Sequence, residues 1–214
     1  SIDVFKHRKP GNYKTLSLPS SKLAVKPDKY QKADTIKQNP FAAIIQIEET
    51  ASLENYLRKI EYFFQILKIQ EVNIFSFSQN NRISVHHNQS ILNLLKELTK
   101  DKTVLCCIVL SEQEKSKRYK TAFLIESGKI IGKYRKTHLE FNEINKINAG
   151  EDNFDVYETS FGKIGIMLDY EGYFPEIARI LTLKGAQIII WASQFSRDEQ
   201  IKICRTRSAE NKIF

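Results

Sequence analysis

The sequence predicts an α/β layered domain, and three observations lead to that fold class. Short apolar segments rich in isoleucine alternate with amphipathic segments from residue 41 onward, as strands alternate with helices. The composition, 42% hydrophobic and 27% charged, is that of a globular chain with a core. No apolar run is long enough to cross a bilayer, so no membrane partner is expected.

The sequence pattern predicts three strands and two helices in the first half of the domain. Thr50 is a plausible N-cap for the first helix, because apolar residues then recur at helical spacing from Leu53 to Leu67. The predicted strands are residues 41–47, 72–77 and 104–110, and the second helix covers residues 91–98.

The second half begins with a hairpin, because Ser127-Gly128 separates two apolar segments. Pro175 fits the first turn of a helix, which Gly185 then ends. The predicted strands are residues 120–125, 129–131, 154–157, 164–168 and 187–191, and a last helix covers residues 198–211.

Residues 1–40 form a separate segment, which we expect to be an extended arm or linker. This arm holds four of the five prolines, and its nine basic residues against three acidic ones give it a net charge of +6, whereas residues 41–214 carry only +2. A solvated linker to a fused or neighbouring domain is the favoured interpretation. Contact with nucleic acid through the arm is the weaker alternative, because the arm lacks the aromatic spacing of a base-stacking surface.

The cysteines indicate core packing rather than chemistry. Cys106 and Cys107 lie inside a predicted strand, and Cys204 stands alone, so no disulfide framework is expected. Neither the cysteines nor the pair His86-His87 show the spacing of metal ligands, and no metal or cofactor is expected. A reducing, cytoplasmic setting fits this cysteine usage best.

Three segments in order resemble the nitrilase, or carbon–nitrogen hydrolase, family. Residues 128–139 end in Tyr-Arg-Lys-Thr-His-Leu, which is similar to the family segment that carries its catalytic lysine, here Lys136. Residues 161–176 resemble the strand and sharp turn that carry the nucleophile, and residues 205–211 resemble a late helix of the family. The resemblance covers residues 41–214 and implies a four-layer αββα sandwich, incomplete at its C-terminal end because the closing strands would lie beyond Phe214.

The resemblance implies a site of cysteine, glutamate and lysine, and this sequence departs from it at two positions. Asp169 stands where the cysteine belongs, and Gln79 stands where the general-base glutamate belongs, whereas Lys136 is retained. Glu143 is similar to a further glutamate that some members place beside these three. Attack of Asp169 on an amide would give a mixed anhydride, uphill from the amide, and Gln79 cannot accept a proton. Lys136 and Asp169 would instead form an ion pair that keeps the old site neutral.

These departures predict a non-catalytic domain that acts as a ligand-sensing or assembly module, within a larger protein and as a homo-oligomer. A divergent hydrolase is the first alternative, acting on a small amide or another non-peptide carbon–nitrogen bond through Asp169, Lys136 and Glu143. A small-molecule ligand is compatible with both. The nucleic-acid-associated module is the second alternative.

Overall fold

The computed structural model describes residues 40–77, 79–100, 104–194 and 197–214. Almost all of the predicted arm therefore lies outside the described residues, and its roles as a linker or nucleic-acid contact stay predictions. Within the described part of the chain, no helix is long and apolar enough to span a bilayer.

A five-stranded sheet forms the first half of the domain. Its strands are β1 (Ala42–Ile45), β2 (Ile74–Phe77), β3 (Leu105–Glu114), β4 (Lys117–Glu126) and β5 (Lys129–Arg135), in that spatial order. β1, β2 and β3 pair in parallel, whereas β3, β4 and β5 pair antiparallel. The predicted hairpin is confirmed, since Ser127 and Gly128 both adopt positive φ between β4 and β5.

A three-stranded sheet forms the second half. Its strands are β6 (Val156–Thr159), β7 (Gly162–Leu168) and β8 (Ile188–Ala192), with β7 in the centre. β6 runs antiparallel to β7, and β8 runs parallel to it. The strand predicted at residues 154–157 begins two residues later, because Phe154 has a φ of +44° and lies buried ahead of the strand.

Helices cover the outer face of each sheet. They are α1 (Leu53–Ile69), α2 (Asn88–Thr99), α3 (Pro175–Leu183) and α4 (Arg197–Asn211). The apolar faces of α1 and α2 pack on the five-stranded sheet. A second core joins the inner faces of the two sheets and includes the apolar face of α3. The order helix, sheet, sheet, helix confirms the predicted αββα sandwich.

Local sequence signals account for the helix ends, with one correction. Thr50 is not the N-cap of α1; Ser52 is, because its Oγ accepts a hydrogen bond from the amide of Asn55. Pro175 lies in the first turn of α3, as predicted. Gly185 follows this helix with a φ of +94°, a conformation that glycine adopts without a Cβ penalty.

Candidate functional site

Asp169 lies on a sharp turn at the end of β7. Its φ is +40°, which is uncommon for a residue with a side chain, and a 3₁₀ turn, Asp169–Tyr173, begins there. The backbone oxygen accepts a hydrogen bond from Nε1 of Trp191 at 2.9 Å, and Oδ1 accepts one from the amide of Gln194 at 3.2 Å. β8 and the residues after it therefore hold the turn in a conformation that costs on the order of 1 kcal/mol or more.

Two ammonium groups meet the Asp169 carboxylate. Nζ of Lys120 lies 2.5 Å from Oδ2, and Nζ of Lys136 lies 3.3 Å from the same oxygen. All three side chains are less than a tenth exposed. The ion pair expected between Lys136 and Asp169 is present, and Lys120 is a second cation that was not predicted from the sequence.

Lys136 is the centre of a cluster of three carboxylates. Its Nζ lies 2.6 Å from Oε2 of Glu143 and 3.4 Å from Oε1 of Glu140, in addition to Asp169. Burial alone would lower the pKa of Lys136, but the carboxylates of Asp169 and Glu143 hold it above its ordinary value. The three carboxylates are close enough together to bind a metal ion, but the Lys136 ammonium already supplies their cation.

Glu171 joins the two segments that carry Asp169 and Lys136. Its Oε1 accepts hydrogen bonds from the amide and hydroxyl of Thr137 and from the hydroxyl of Tyr134, while its Oε2 accepts one from the amide of Leu168. Burial raises the pKa of Glu171, whereas these hydrogen bonds oppose the rise. Because Leu168 precedes Asp169 and Thr137 follows Lys136, this fully buried carboxylate fixes the distance between the two.

A second ionic cluster joins the three antiparallel strands of the five-stranded sheet. Glu112 on β3 pairs with Arg135 at 2.9 Å and with Lys133 at 2.5 Å, both on β5, and its Oε2 accepts a hydrogen bond from the hydroxyl of Thr121. Burial opposes ionisation of Glu112, but the hydrogen bonds from Arg135, Lys133 and Thr121 outweigh it and lower its pKa to about 2.

A cavity of about 470 Å³ lies against Asp169. Its walls are mostly apolar, and Ile74 of β2 and Ile190 of β8 are among them. Its polar wall includes Lys120, Asp169 and Gln79. Lys136 is not among the described residues that line it. A mostly apolar cavity with a few converging polar groups is typical of a small-molecule site.

The structure brings three of the four predicted site residues into direct contact. Asp169, Lys136 and Glu143 form one chain of ion pairs. Gln79 follows β2 and lines the same cavity as Asp169, where its Nε2 donates to Oγ of Ser111 at 3.4 Å. The assignment of Gln79 to the position of the general base stays a prediction.

Comparisons with known proteins identify the family. The family model described as carbon–nitrogen hydrolase matches residues 42–214. The chain belongs to the carbon–nitrogen hydrolase family. A solved carbon–nitrogen hydrolase from Helicobacter pylori superposes with a TM-score of 0.71 at 24% identity, covering 81% of this chain and 70% of that one. This likeness confirms the fold.

Two curated relatives bear on the expected function. A nitrilase of Pyrococcus abyssi is 31% identical over 120 residues, which are 56% of this chain and 46% of the relative. An N-carbamoylputrescine amidase of Arabidopsis thaliana is 27% identical over 124 residues, which are 56% of this chain and 42% of the relative. The chain thus spans less than half the length of these carbon–nitrogen hydrolases.

The prediction of a non-catalytic sensing or assembly module is wrong. The relatives are named as a nitrilase and an amidase, and these names point to hydrolysis rather than to an inert module. That prediction rested on Asp169 in place of the cysteine and on Gln79 in place of the general base, and it gave too little weight to hydrolysis without a cysteine. The divergent hydrolase, which was the first alternative, fits the relatives better.

Proposed function

We propose that this carbon–nitrogen hydrolase domain cleaves a carbon–nitrogen bond of a small, non-peptide compound, with Asp169 as the base that activates water. One observation carries the proposal. A buried carboxylate lies on the strained turn after β7, borders a cavity, and faces two ammonium groups. Strained backbone and closely opposed buried charges are common at catalytic sites.

Direct attack by water is the route that the chemistry of Asp169 favours. A carboxylate that attacked an amide would form a mixed anhydride, which is less stable than the amide itself. A carboxylate that accepts a proton from water forms no such intermediate. The change from cysteine to aspartate therefore replaces a covalent route with general-base catalysis.

The hydrogen bonds of Asp169 leave room for that water. Oδ2 faces both ammonium groups, whereas Oδ1 accepts one described hydrogen bond, from the amide of Gln194. A carboxylate oxygen can accept two, so Oδ1 can also accept one from a water molecule in the cavity.

The reaction then balances without another reagent. Oδ1 takes a proton from water while the water oxygen bonds to the substrate carbon, and negative charge develops on the substrate oxygen beside an ammonium group. The carbon–nitrogen bond breaks next, and Asp169 returns its proton to the leaving nitrogen. The products are a carboxylic acid and ammonia or an amine.

The other charged groups hold these parts in place. The carboxylates of Glu143 and Glu140 balance the positive charge of Lys136. The ammonium groups of Lys136 and Lys120 balance the negative charge of Asp169. The cavity of about 470 Å³ is near the lower end of the range for small-molecule sites, which favours a compact substrate. The name of the amidase relative suggests short amides and N-carbamoyl amines as the first compounds to test, because both carry a carbonyl oxygen that can take the developing charge.

Ammonia release from such a panel tests the proposal. We expect turnover by the wild type and a loss of about 10⁴-fold or more in Asp169→Asn, which keeps the shape of the side chain but removes the base. Asp155→Asn is the matched control, because Asp155 is exposed and does not line the cavity, and it should keep full activity. No ammonia from any compound with the wild type, or equal activity in Asp169→Asn, would overturn the proposal.

A further inference from the structure

The two ammonium groups at Asp169 differ in how many of their hydrogens are already engaged. Lys136 makes ion pairs with three carboxylates, from Glu140, Glu143 and Asp169, and its side chain has no exposed surface. An ammonium group has three hydrogens to donate. The described partners of Lys136 therefore match its donors one for one.

Lys120 has a different position. Among the described residues, Asp169 is the one carboxylate that pairs with its ammonium group, and Lys120 lines the cavity that Lys136 does not reach. Two of its three hydrogens have no acidic partner in the described part of the chain. The cation presented to a molecule in the cavity is thus Lys120.

We propose that Lys120, rather than the family-position Lys136, stabilises the negative charge that develops on the substrate oxygen. This inference rests on the hydrolysis proposed above. Lys136 acts through Asp169 and Glu143 as their buried counter-ion, and is a positioning residue. In this chain, Lys136 stands at the family's position for the catalytic lysine, whereas Lys120 is the lysine that contacts the substrate.

The arrangement of the two sheets supports this division. Lys120 projects from β4 of the five-stranded sheet, and Asp169 follows β7 of the three-stranded sheet, so the two groups meet across the interface between the sheets. A substrate carbonyl in the adjoining cavity can place its carbon near water on Oδ1 of Asp169 and its oxygen near Lys120. Preorganised cations in a buried site stabilise an oxyanion more strongly than they would in water.

Gln79 adds an observation that points to a polar ligand in the same cavity. Its Oε1 is buried and has no hydrogen-bond partner among the described residues, while its Nε2 bonds to Ser111, the residue paired with Lys120 in the β3–β4 register. If the amide were turned over, the nitrogen would be the atom without a partner. A buried polar atom without a partner is unfavourable, and a bound polar molecule would satisfy it.

Kinetics of Lys120→Met and Lys120→Arg, on a compound that the wild type hydrolyses, test the inference. We expect Lys120→Met to lower kcat by about 10²- to 10³-fold with a smaller change in KM, because the lost interaction is strongest in the transition state. Lys120→Arg should recover part of that loss. Lys163→Met is the control, because Lys163 also pairs with a carboxylate but is half-exposed and does not line the cavity, and it should keep the wild-type kcat.

Chemical rescue separates catalysis from folding. Lys120→Ala that retains a cooperative unfolding transition should regain activity when propylammonium is added, whereas the activity of Lys163→Ala should not respond. Wild-type kcat in Lys120→Met, or no rescue of folded Lys120→Ala, would overturn the role of Lys120 while leaving the proposed hydrolysis intact. A wild type that hydrolyses none of the compounds would overturn the hydrolysis and, with it, this role.

Discussion

Nζ of Lys120 and Oδ2 of Asp169 lie 2.5 Å apart, and their side chains are 9% and 5% exposed. The pair links the five-stranded sheet to the turn that ends the central strand of the other sheet. Removing two charges from water is costly, and loss of one partner leaves the other charge buried without compensation. The site is therefore coupled to the stability of the whole sandwich.

Asp169→Ala should destabilise the domain by about 3–5 kcal/mol, because it leaves two buried ammonium groups without their shared carboxylate. Urea unfolding measures the change as a lower midpoint. Glu54→Ala serves as the control, since Glu54 is exposed and its pair with Arg58 should contribute less than about 1 kcal/mol. An Asp169→Ala protein as stable as the wild type would show that the ion pairs do not hold the site.

Glu171→Gln should destabilise the domain by about 3 kcal/mol, because its amide nitrogen cannot accept the hydrogen bonds that reach the buried carboxylate from Thr137, Tyr134 and Leu168. Activity should fall as well, although Glu171 does not line the cavity. Urea unfolding and ammonia release on the same preparation measure both effects. Glu158→Gln changes an exposed glutamate and should alter neither. Wild-type stability in Glu171→Gln would contradict the role of this carboxylate in joining the segments that carry Asp169 and Lys136.

Glu112→Gln should destabilise the domain at neutral pH and have no effect in strong acid. The pKa of Glu112 is lowered to about 2 in the folded protein. For an acid with a lowered pKa, the stabilisation is fully present above the unfolded-state value near 4.3 and is lost as the pH falls through the folded-state value. The difference in unfolding free energy between wild type and variant should therefore shrink from about pH 4 to pH 2. If the difference in unfolding free energy stayed constant over this pH window, the lowered pKa of Glu112 would be contradicted.

Gly172→Ala should displace the indole of Trp191, because a Cβ at Gly172 would lie 2.4 Å from its Cζ2 atom. The hydrogen bond from Trp191 to the backbone oxygen of Asp169 would weaken, and activity would fall. Trp191 is the single tryptophan of the chain, so its fluorescence reports the displacement directly. Unchanged emission together with unchanged activity would contradict the close contact.

The fold was predicted well from the sequence, because the spacing of the apolar residues distinguishes strands from helices and shows which face of each element is buried. β2 and the first six residues of β3 are apolar runs buried on both faces, and α1 shows its buried side at helical spacing. The N-cap of α1 was misplaced because Thr50 and Ser52 are both good caps, and only the geometry shows which hydroxyl reaches Asn55.

The site was predicted in part, and Lys120 shows why the rest was missed. Lys120 ends the basic segment from Lys117 to Lys120, and such a segment is typical of a solvent-exposed strand. The local composition therefore did not indicate that Lys120 is buried. The period of two along β4 was the available signal, because Lys120 shares its face with Ala122 and Leu124, which are both fully buried between the sheets. The sequence could therefore have placed Lys120 on the inner face of the five-stranded sheet. It could not have predicted how close Lys120 lies to Asp169, because Asp169 belongs to the other sheet.

Hydrolysis of one active compound in heavy-oxygen water, followed by mass spectrometry of both the product and the peptide that contains Asp169, tests the central claim most directly. If Asp169 activates water, the heavy oxygen enters the carboxylic acid product, and the Asp169 carboxylate stays unlabelled after many turnovers. Label in Asp169 would show that the carboxylate attacks the substrate itself. An unlabelled carboxylic acid product would show that water does not attack the substrate carbon, which would also contradict the claim.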